Sequence, residues 1–282
     1  MARLGTVESL FRYPVKSMQG ESVDRIAVTE LGFAGDRGWA VRDERRGDFF
    51  TAKRIGALMG CRAVAGGAGN VPELELPDGT RIRADAAEAG ELLSKALDHP
   101  VSLHAMGSDA PPPSDVDVPD DPMADFNAMF ARKGEEPLPD FSVTPESLMA
   151  HMGRPDRSFV DLSPLLVMTR QSIATLAAAA PDSVMDVRRF RPSLLIDAAS
   201  DARFPEQDWI GNRVRIGGVV IDTPMTCPRC VMTTHAFADL PKDPTVMRTL
   251  VKEAEGNLGV YAMIVEPGEI RVGDAVETVD AP

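Results

Sequence analysis

Two of the chain's three cysteines, Cys227 and Cys230, stand three residues apart in the stretch TPMTCPRCVMTTH at residues 223–235, with Arg229 between them and threonines on either side. Thiolates are the soft ligands of protein chemistry, so this spacing admits three chemistries: half of a zinc site, a dithiol redox pair, or a thiolate donor to a heavier metal. A structural zinc ion takes four ligands, and the remaining candidates are Cys61, four histidines and scattered carboxylates with no second pair at ligand spacing. A dithiol oxidoreductase wants its nucleophile at a helix N-terminus, whereas VMTTHAF at residues 231–237 is β-branched and roughly alternating and predicts a strand. The third chemistry asks for a thiolate with cations and hydroxyls nearby to hold an anionic cofactor, and Arg229 favours the charged form of a neighbouring thiol. A Pro-Arg insert is a poor core element, which weighs against a plain pair of buried thiols.

Positioning such a group falls mostly to short strands. Residues 4–13 alternate apolar and polar and read as a strand that Pro14 ends; residues 25–31, 39–42 and 48–53 follow, the last two joined by a turn at 43–47. Residues 61–64, 74–76 and 80–83 continue the rhythm, with turn chemistry at Pro77, Asp78 and Gly79. Leu92, Leu93 and Leu97 recur at helical spacing and predict one amphipathic helix over residues 86–97. Six aspartates and five prolines without a lysine or arginine predict a solvated loop over residues 108–125.

In the second half, residues 161–168 read as a buried strand entering an alanine-rich helix over 169–180, with Thr169 as its N-cap and Pro181 closing it. Arg188, Arg189 and Arg191 precede an apolar strand that ends at Asp197. Gly217 and Gly218 predict a tight hairpin within residues 213–222. Residues 246–255 predict a helix, and residues 260–265 and 269–276 are expected to pair across Pro267 and Gly268. The fold class is mainly β with several helices, an α+β protein.

At 282 residues the chain has room for one large domain or two modest ones, and 44% hydrophobic with 26% charged residues is a soluble globular balance. A net charge of -13 opposes general affinity for nucleic acid or anionic membrane and leaves only a local basic pocket for anions. No run of about 18 apolar residues and no signal-peptide core occurs. An odd count of three cysteines fits a reducing compartment, so the expected location is cytoplasmic.

Four motifs in order, YPVKS at residues 13–17, GDRGWAV at 35–41, RFRP at 189–192 and CPRCVMTT at 227–234, resemble those of MOSC proteins with an N-terminal MOSC barrel. The likeness is greatest to the molybdenum-cofactor enzymes of the amidoxime-reducing kind and their bacterial relatives, and it spans nearly the whole chain. It implies a β-rich N-terminal MOSC lobe over residues 1–105, an acidic, proline-rich linker and insertion over 106–160, and a MOSC β-barrel over 161–280. It also implies Mo-molybdopterin as cofactor, with Cys230 as metal ligand and catalytic residue and Cys227 as a neighbouring thiol. By the same matching, Lys16, Ser17, Arg37 and Arg191 surround the phosphate and pterin, which suits basic donors. Thr169 and Ser172 match the position of hydroxyl and backbone donors at a helix start. Ser193 stands where better-studied relatives carry an asparagine, and its shorter side chain reaches the cofactor through water.

Some bacterial relatives continue into a ferredoxin-like domain with cluster cysteines; with no cysteine after Cys230, electrons are expected from a separate ferredoxin- or flavoprotein-like partner. The resulting expectation is an oxidoreductase that removes oxygen from N-hydroxylated or other N-oxygenated small molecules. A carrier of molybdenum cofactor or sulfur without that turnover, and a dithiol oxidoreductase using Cys227 and Cys230, remain as alternatives.

Overall fold

A computed structural model of the chain describes residues 2–49, 51–66, 71–108, 116–150 and 158–279. Part of the stretch expected as a loop (109–115), part of the 106–160 insertion (151–157) and one residue of the expected 48–53 strand (50) lie outside them.

Seven strands close into a barrel. In ring order they are Leu165–Thr169, Leu194–Ala198, Arg3–Arg12, Ala275–Thr278, Arg213–Ile216, Val219–Asp222 and Asn257–Glu266, which pairs back onto Leu165–Thr169. Closure removes the open edges that a sheet of β-branched strands would otherwise present. Within the ring, Leu165–Thr169 and Leu194–Ala198 are parallel, a pairing that requires a crossover, and the helix Arg170–Ala179 supplies it. Val7, Leu10, Val167, Ile196, Val214 and Ile221 are among the apolar side chains of the barrel core.

The chain weaves between its halves. The first strand, Arg3–Arg12, is a barrel stave between Leu194–Ala198 and Ala275–Thr278. The late strand Gly268–Arg271 pairs instead with Arg25–Thr29. The expected hairpin of residues 260–265 with 269–276 therefore does not form. Val272 and Gly273 follow the strand Gly268–Arg271, and the backbone amides of these two residues reach Asp24 and Val7 at 2.9 and 2.8 Å, so the long-range pairing takes the hydrogen bonds a local hairpin would have used.

A second core sits in the N-terminal half, where Val15, Met18, Val41, Leu58, Leu74 and Leu93 pack under the helix Ala89–Leu97. Cys61 is fully buried there, and burial pushes its thiol up to about 11, so it is an inert core residue rather than a ligand. A third cluster, including Met168, Leu176, Phe190, Leu250 and Cys227, packs Arg170–Ala179 and Thr245–Ala254 against the barrel.

Other expectations change locally. The residues 51–54 are a helical turn, Thr51–Arg54, not a strand. A helix, Pro122–Met129, starts inside the expected loop because the Asp121 side chain accepts from the amides of Met123 and Ala124 and Pro122 suits the first helical position. Residues 231–234 form a 3-10 turn, Val231–Thr234, not a strand. The tight turn at 217–218 forms as expected, with Gly217 at φ +54° in a place where a Cβ would lie 2.1 Å from Asp274 Oδ2.

Two predictions follow from this packing. Residues 158–279 produced without residues 2–12 lose the stave between two strands and should show no cooperative thermal transition by circular dichroism; a transition matching the whole chain would contradict barrel closure by that strand. The second concerns Glu206, which is fully buried and accepts hydrogen bonds from Ser172 Oγ at 2.7 Å and Thr169 Oγ1 at 2.6 Å. Burial raises its pKa above the usual carboxylate value despite those donors. A raised pKa means the folded state favours the protonated acid, so this stability is present at low pH and is lost as pH rises through the folded pKa. Glu206→Gln should therefore gain in melting temperature over the parent as pH rises from about 4 to 7, and a difference that is flat or falls with pH would refute it.

Candidate functional site

The site is built by zipping two remote turns together. The Arg37 amide donates to the Tyr13 carbonyl at 2.8 Å, Lys16 N donates to the Trp39 carbonyl at 2.8 Å, and Trp39 N donates to the Pro14 carbonyl at 3.2 Å. The YPVKS and GDRGW motifs thus form one unit, and Asp36 Oδ1 locks it by accepting the Tyr13 amide at 2.6 Å. Ser17 and Arg37 adopt φ of +72° and +45°, and Arg191, following the short helix Val187–Phe190, has φ +55°. Left-handed backbone costs a non-glycine residue about 1 kcal/mol or more, and such strain concentrates at functional sites.

Arg191 connects the halves. Its side chain donates to the Met18 carbonyl, just past the YPVKS turn. The result is an open cleft with about 780 Å³ of empty space, solvent at its mouth included, lined by Lys16, Ser17 and Arg37 from one side and Asp161, Arg191, Arg229 and Cys230 from the other.

The cysteine stretch approaches along the strand Thr226–Pro228, which pairs with Asn257–Glu266. Cys227 is buried at 4% exposure, while Cys230 is half-buried on the cleft. Arg229 lies between them: Nη1 donates to Cys227 Sγ at 3.0 Å, Nη2 donates to the Phe190 carbonyl, and Nε is buried with no hydrogen-bond partner among the described residues. Arg229 is held above its usual pKa, because the two thiols outweigh the burial that opposes its charge. Arg189 of the RFRP motif has another job. It is fully buried and donates to the carbonyls of Val184, Thr233, His235 and Pro241, which clamps the segment after Cys230.

Charge is segregated in this acidic chain. Asp161 takes Lys16 Nζ on one oxygen and Lys53 Nζ on the other, the latter at 2.6 Å. Burial would raise its pKa, but the two ammonium groups hold it far below the ordinary carboxylate range. Lys16 is lowered, chiefly by burial and partly offset by Asp161. Lys53 is raised, since Asp161 and Cys230 together more than offset its burial. Burial brings Arg191 down to about 10, which leaves it cationic at neutral pH.

The structure thus brings Lys16, Ser17, Arg37, Arg191 and Cys230 to one cleft. It places Thr169, Ser172 and Ser193 elsewhere. Thr169 and Ser172 are fully buried and spend their hydroxyls on Glu206, while Ser193 Oγ accepts the Leu166 amide at 3.2 Å inside the barrel wall. The Thr169 hydroxyl caps the helix by accepting the Ser172 amide at 3.2 Å and also donates to Glu206. Asp161 lines the cleft, and Lys53 and Tyr13 contact its charged groups, without having been singled out, while Arg229, expected to favour a neighbouring thiolate, lines the cleft as well. Tyr13 and Arg229 lie inside the recognised motifs, but Asp161 and Lys53 carry no local signal. His235 is no ligand, since its Nε2 meets the Ala52 carbonyl at 2.9 Å. Among the described residues no group of three or more His, Cys, Asp or Glu is placed to hold a metal, so the thiol of Cys230 offers a single soft donor beside a cluster of cations.

Family models match residues 4–110 to the MOSC N-terminal beta barrel domain and residues 154–277 to the MOSC domain. The mitochondrial amidoxime reducing component 2 of Bos taurus is 24% identical over 309 residues, covering 98% of this chain and 84% of that protein. The human component 1 is 23% identical over 306 residues, covering 98% and 83%. Component 2 of Macaca fascicularis reaches 32% over a shorter stretch of 132 residues, 42% of this chain and 38% of that protein. Among solved structures, the YuaD protein from Bacillus subtilis aligns over 99% of this chain and 97% of its own with a TM-score of 0.46 and 11% identity, a likeness too remote to bear on function. No helix among the described residues is long and apolar enough to cross a membrane. With its barrel, its zipped N-terminal motifs and both family models in order, the chain belongs to the MOSC proteins that carry an N-terminal MOSC barrel domain.

Proposed function

We propose that the cleft binds a molybdopterin-type molybdenum cofactor and that the protein is a reductase of N-hydroxylated or other N-oxygenated small molecules, fed by a separate electron-transfer protein. The observation that carries this reading is the meeting of Lys16, Arg37, Arg191 and Arg229 with the half-buried Cys230 in one cleft of a chain whose net charge is -13. The relatives named as amidoxime-reducing components give it its chemical direction.

The residues present fit such a group. Arg229 Nε is a buried donor without a partner among the described residues, which costs free energy unless an acceptor arrives. Lys16, Arg37 and Arg191 offer charge-assisted donors for a phosphate, and Cys230 Sγ offers the soft donor that molybdenum accepts. Held by these residues, such a group would supply two-electron oxygen-atom-transfer chemistry. The protein's part is to bind, orient and balance charge. Arg189 fixes the chain beyond Cys230, Asp161 offsets the repulsion between Lys16 and Lys53, and Cys227 accepts from Arg229 so that this guanidinium stays at the cleft wall.

Protein purified from a host that makes molybdopterin should carry molybdenum, and Cys230→Ala should lose the metal while Cys227→Ser retains it. Molybdenum absent from the parent protein would overturn the reading; loss of activity in Cys227→Ser, with a reversible disulfide between the two cysteines, would favour dithiol chemistry. Replacing Arg191 by methionine removes a charged hydrogen-bond donor and should weaken cofactor retention by about tenfold to a hundredfold. Loaded protein should reduce an aromatic amidoxime with reduced viologen as donor, and loaded but inert protein would identify a carrier instead.

A further inference from the structure

Tyr13 touches two of the cleft's arginines, yet it offers no charge itself. Its ring is buried at 4% exposure, with the Arg191 guanidinium carbon 4.2 Å and the Arg37 guanidinium carbon 4.9 Å from the ring centroid. Its amide donates to Asp36 Oδ1 at 2.6 Å, and its carbonyl accepts the Arg37 amide at 2.8 Å. The hydroxyl donates to the Pro192 carbonyl at 3.1 Å, adjacent to Arg191. One residue therefore grips the backbone beside each arginine and presents its ring to both side chains.

Two guanidiniums so close repel each other, and Arg37 is among the charges that lower the basicity of Arg191. The electron-rich face of a phenol attracts a desolvated cation by about 0.5–2 kcal/mol. An aliphatic side chain in its place would fill only part of the space and present no electron-rich face to the guanidiniums. Both arginines also sit on left-handed backbone, so their directions are set by their surroundings and not by local preference.

We infer that Tyr13 is a positioning residue that holds Arg37 and Arg191 as a paired clamp for a phosphoryl group. The inference rests on the cleft being an anion site, not on the metal or on reductase turnover. It is independent of Cys230, which faces the cleft from the cysteine stretch.

The test compares Tyr13→Phe with Tyr13→Leu in metal-free protein, using inorganic pyrophosphate as the probe and calorimetry as the readout. Both variants lose the hydroxyl bond to Pro192, and only the leucine loses the ring. Tyr13→Phe should bind pyrophosphate within about threefold of the parent, and Tyr13→Leu should bind about tenfold more weakly while keeping a cooperative thermal transition above the assay temperature. Equal affinity in the two variants, whether both retained or both lost, would overturn the ring's role, as would failure of the parent protein to bind pyrophosphate. Should Tyr13→Leu not fold, Tyr13→Met takes its place with the same expectation. Molybdenum content plays no part in this readout, so a protein that never holds molybdenum but shows the phenylalanine-to-leucine difference sinks the cofactor reading and leaves the clamp standing.

Discussion

Lys16, Lys53, Arg37, Arg191 and Arg229 repel one another, and holding them together is the constraint that shapes the rest of the structure. Each is balanced in its own way: the two lysines by Asp161, Arg37 by Asp36, Arg191 by the Met18 carbonyl, and Arg229 by Cys227 and the Phe190 carbonyl. The ring of Tyr13 lies against two of them. Such a cleft has more positive charge than its partners neutralise, and it stores strain in the left-handed backbone of Ser17, Arg37 and Arg191. An arrangement of this kind is organised before any anion reaches it, which spares an incoming ligand the cost of ordering the donors.

The barrel makes that organisation durable. Arg3–Arg12 runs directly into the YPVKS turn and is paired on both sides within the barrel, so the turn bearing Lys16 and Ser17 is anchored to the C-terminal strands. The return strand Gly268–Arg271 pairs with Arg25–Thr29 and ties the other direction. The segment Pro122–Met129 adds a brace, with Asp125 bridged to Arg54 at 2.9 Å, while Glu136 pairs with Arg248 on the helix Thr245–Ala254. Because the two halves share strands, the cleft between motifs some 200 residues apart has the fixed geometry of a core rather than that of a loose interdomain seam.

The two cysteines of the pair are distinct in this setting. Cys227 packs in an apolar cluster with its sulfur on Arg229, and Cys230 stands half-buried at the cleft as the residue before a 3-10 turn. Residues 231–234 form that turn and not the strand their sequence predicts, so local structure after Cys230 does not separate metal ligation from thioredoxin-like chemistry. The position of the two sulfurs does separate them: that of Cys227 is buried against Arg229, and Cys230 lies on the basic cleft.

Much of the fold was legible because its signals are local. Alternation marked Arg3–Arg12, the Thr169 hydroxyl marked the start of Arg170–Ala179, the glycine pair marked the hairpin at 217–218, and the motif order marked the family. The motifs also named the cations and the thiol of the cleft, since residue type alone says what a side chain can donate. Tertiary structure decided which candidates face one another. Thr169 and Ser172 looked like ligands at a helix start and turned inward to a buried glutamate, and residues 269–276 passed over their neighbour in sequence to pair elsewhere. Asp161 and Lys53 carry no motif, and only folding sets one between the other and Lys16. The physical reason is the range of the forces: propensity, capping and turn geometry act within a few residues and are written in the sequence, whereas strand register, side-chain facing and charge pairing depend on contacts between distant segments and exist only once the chain has closed.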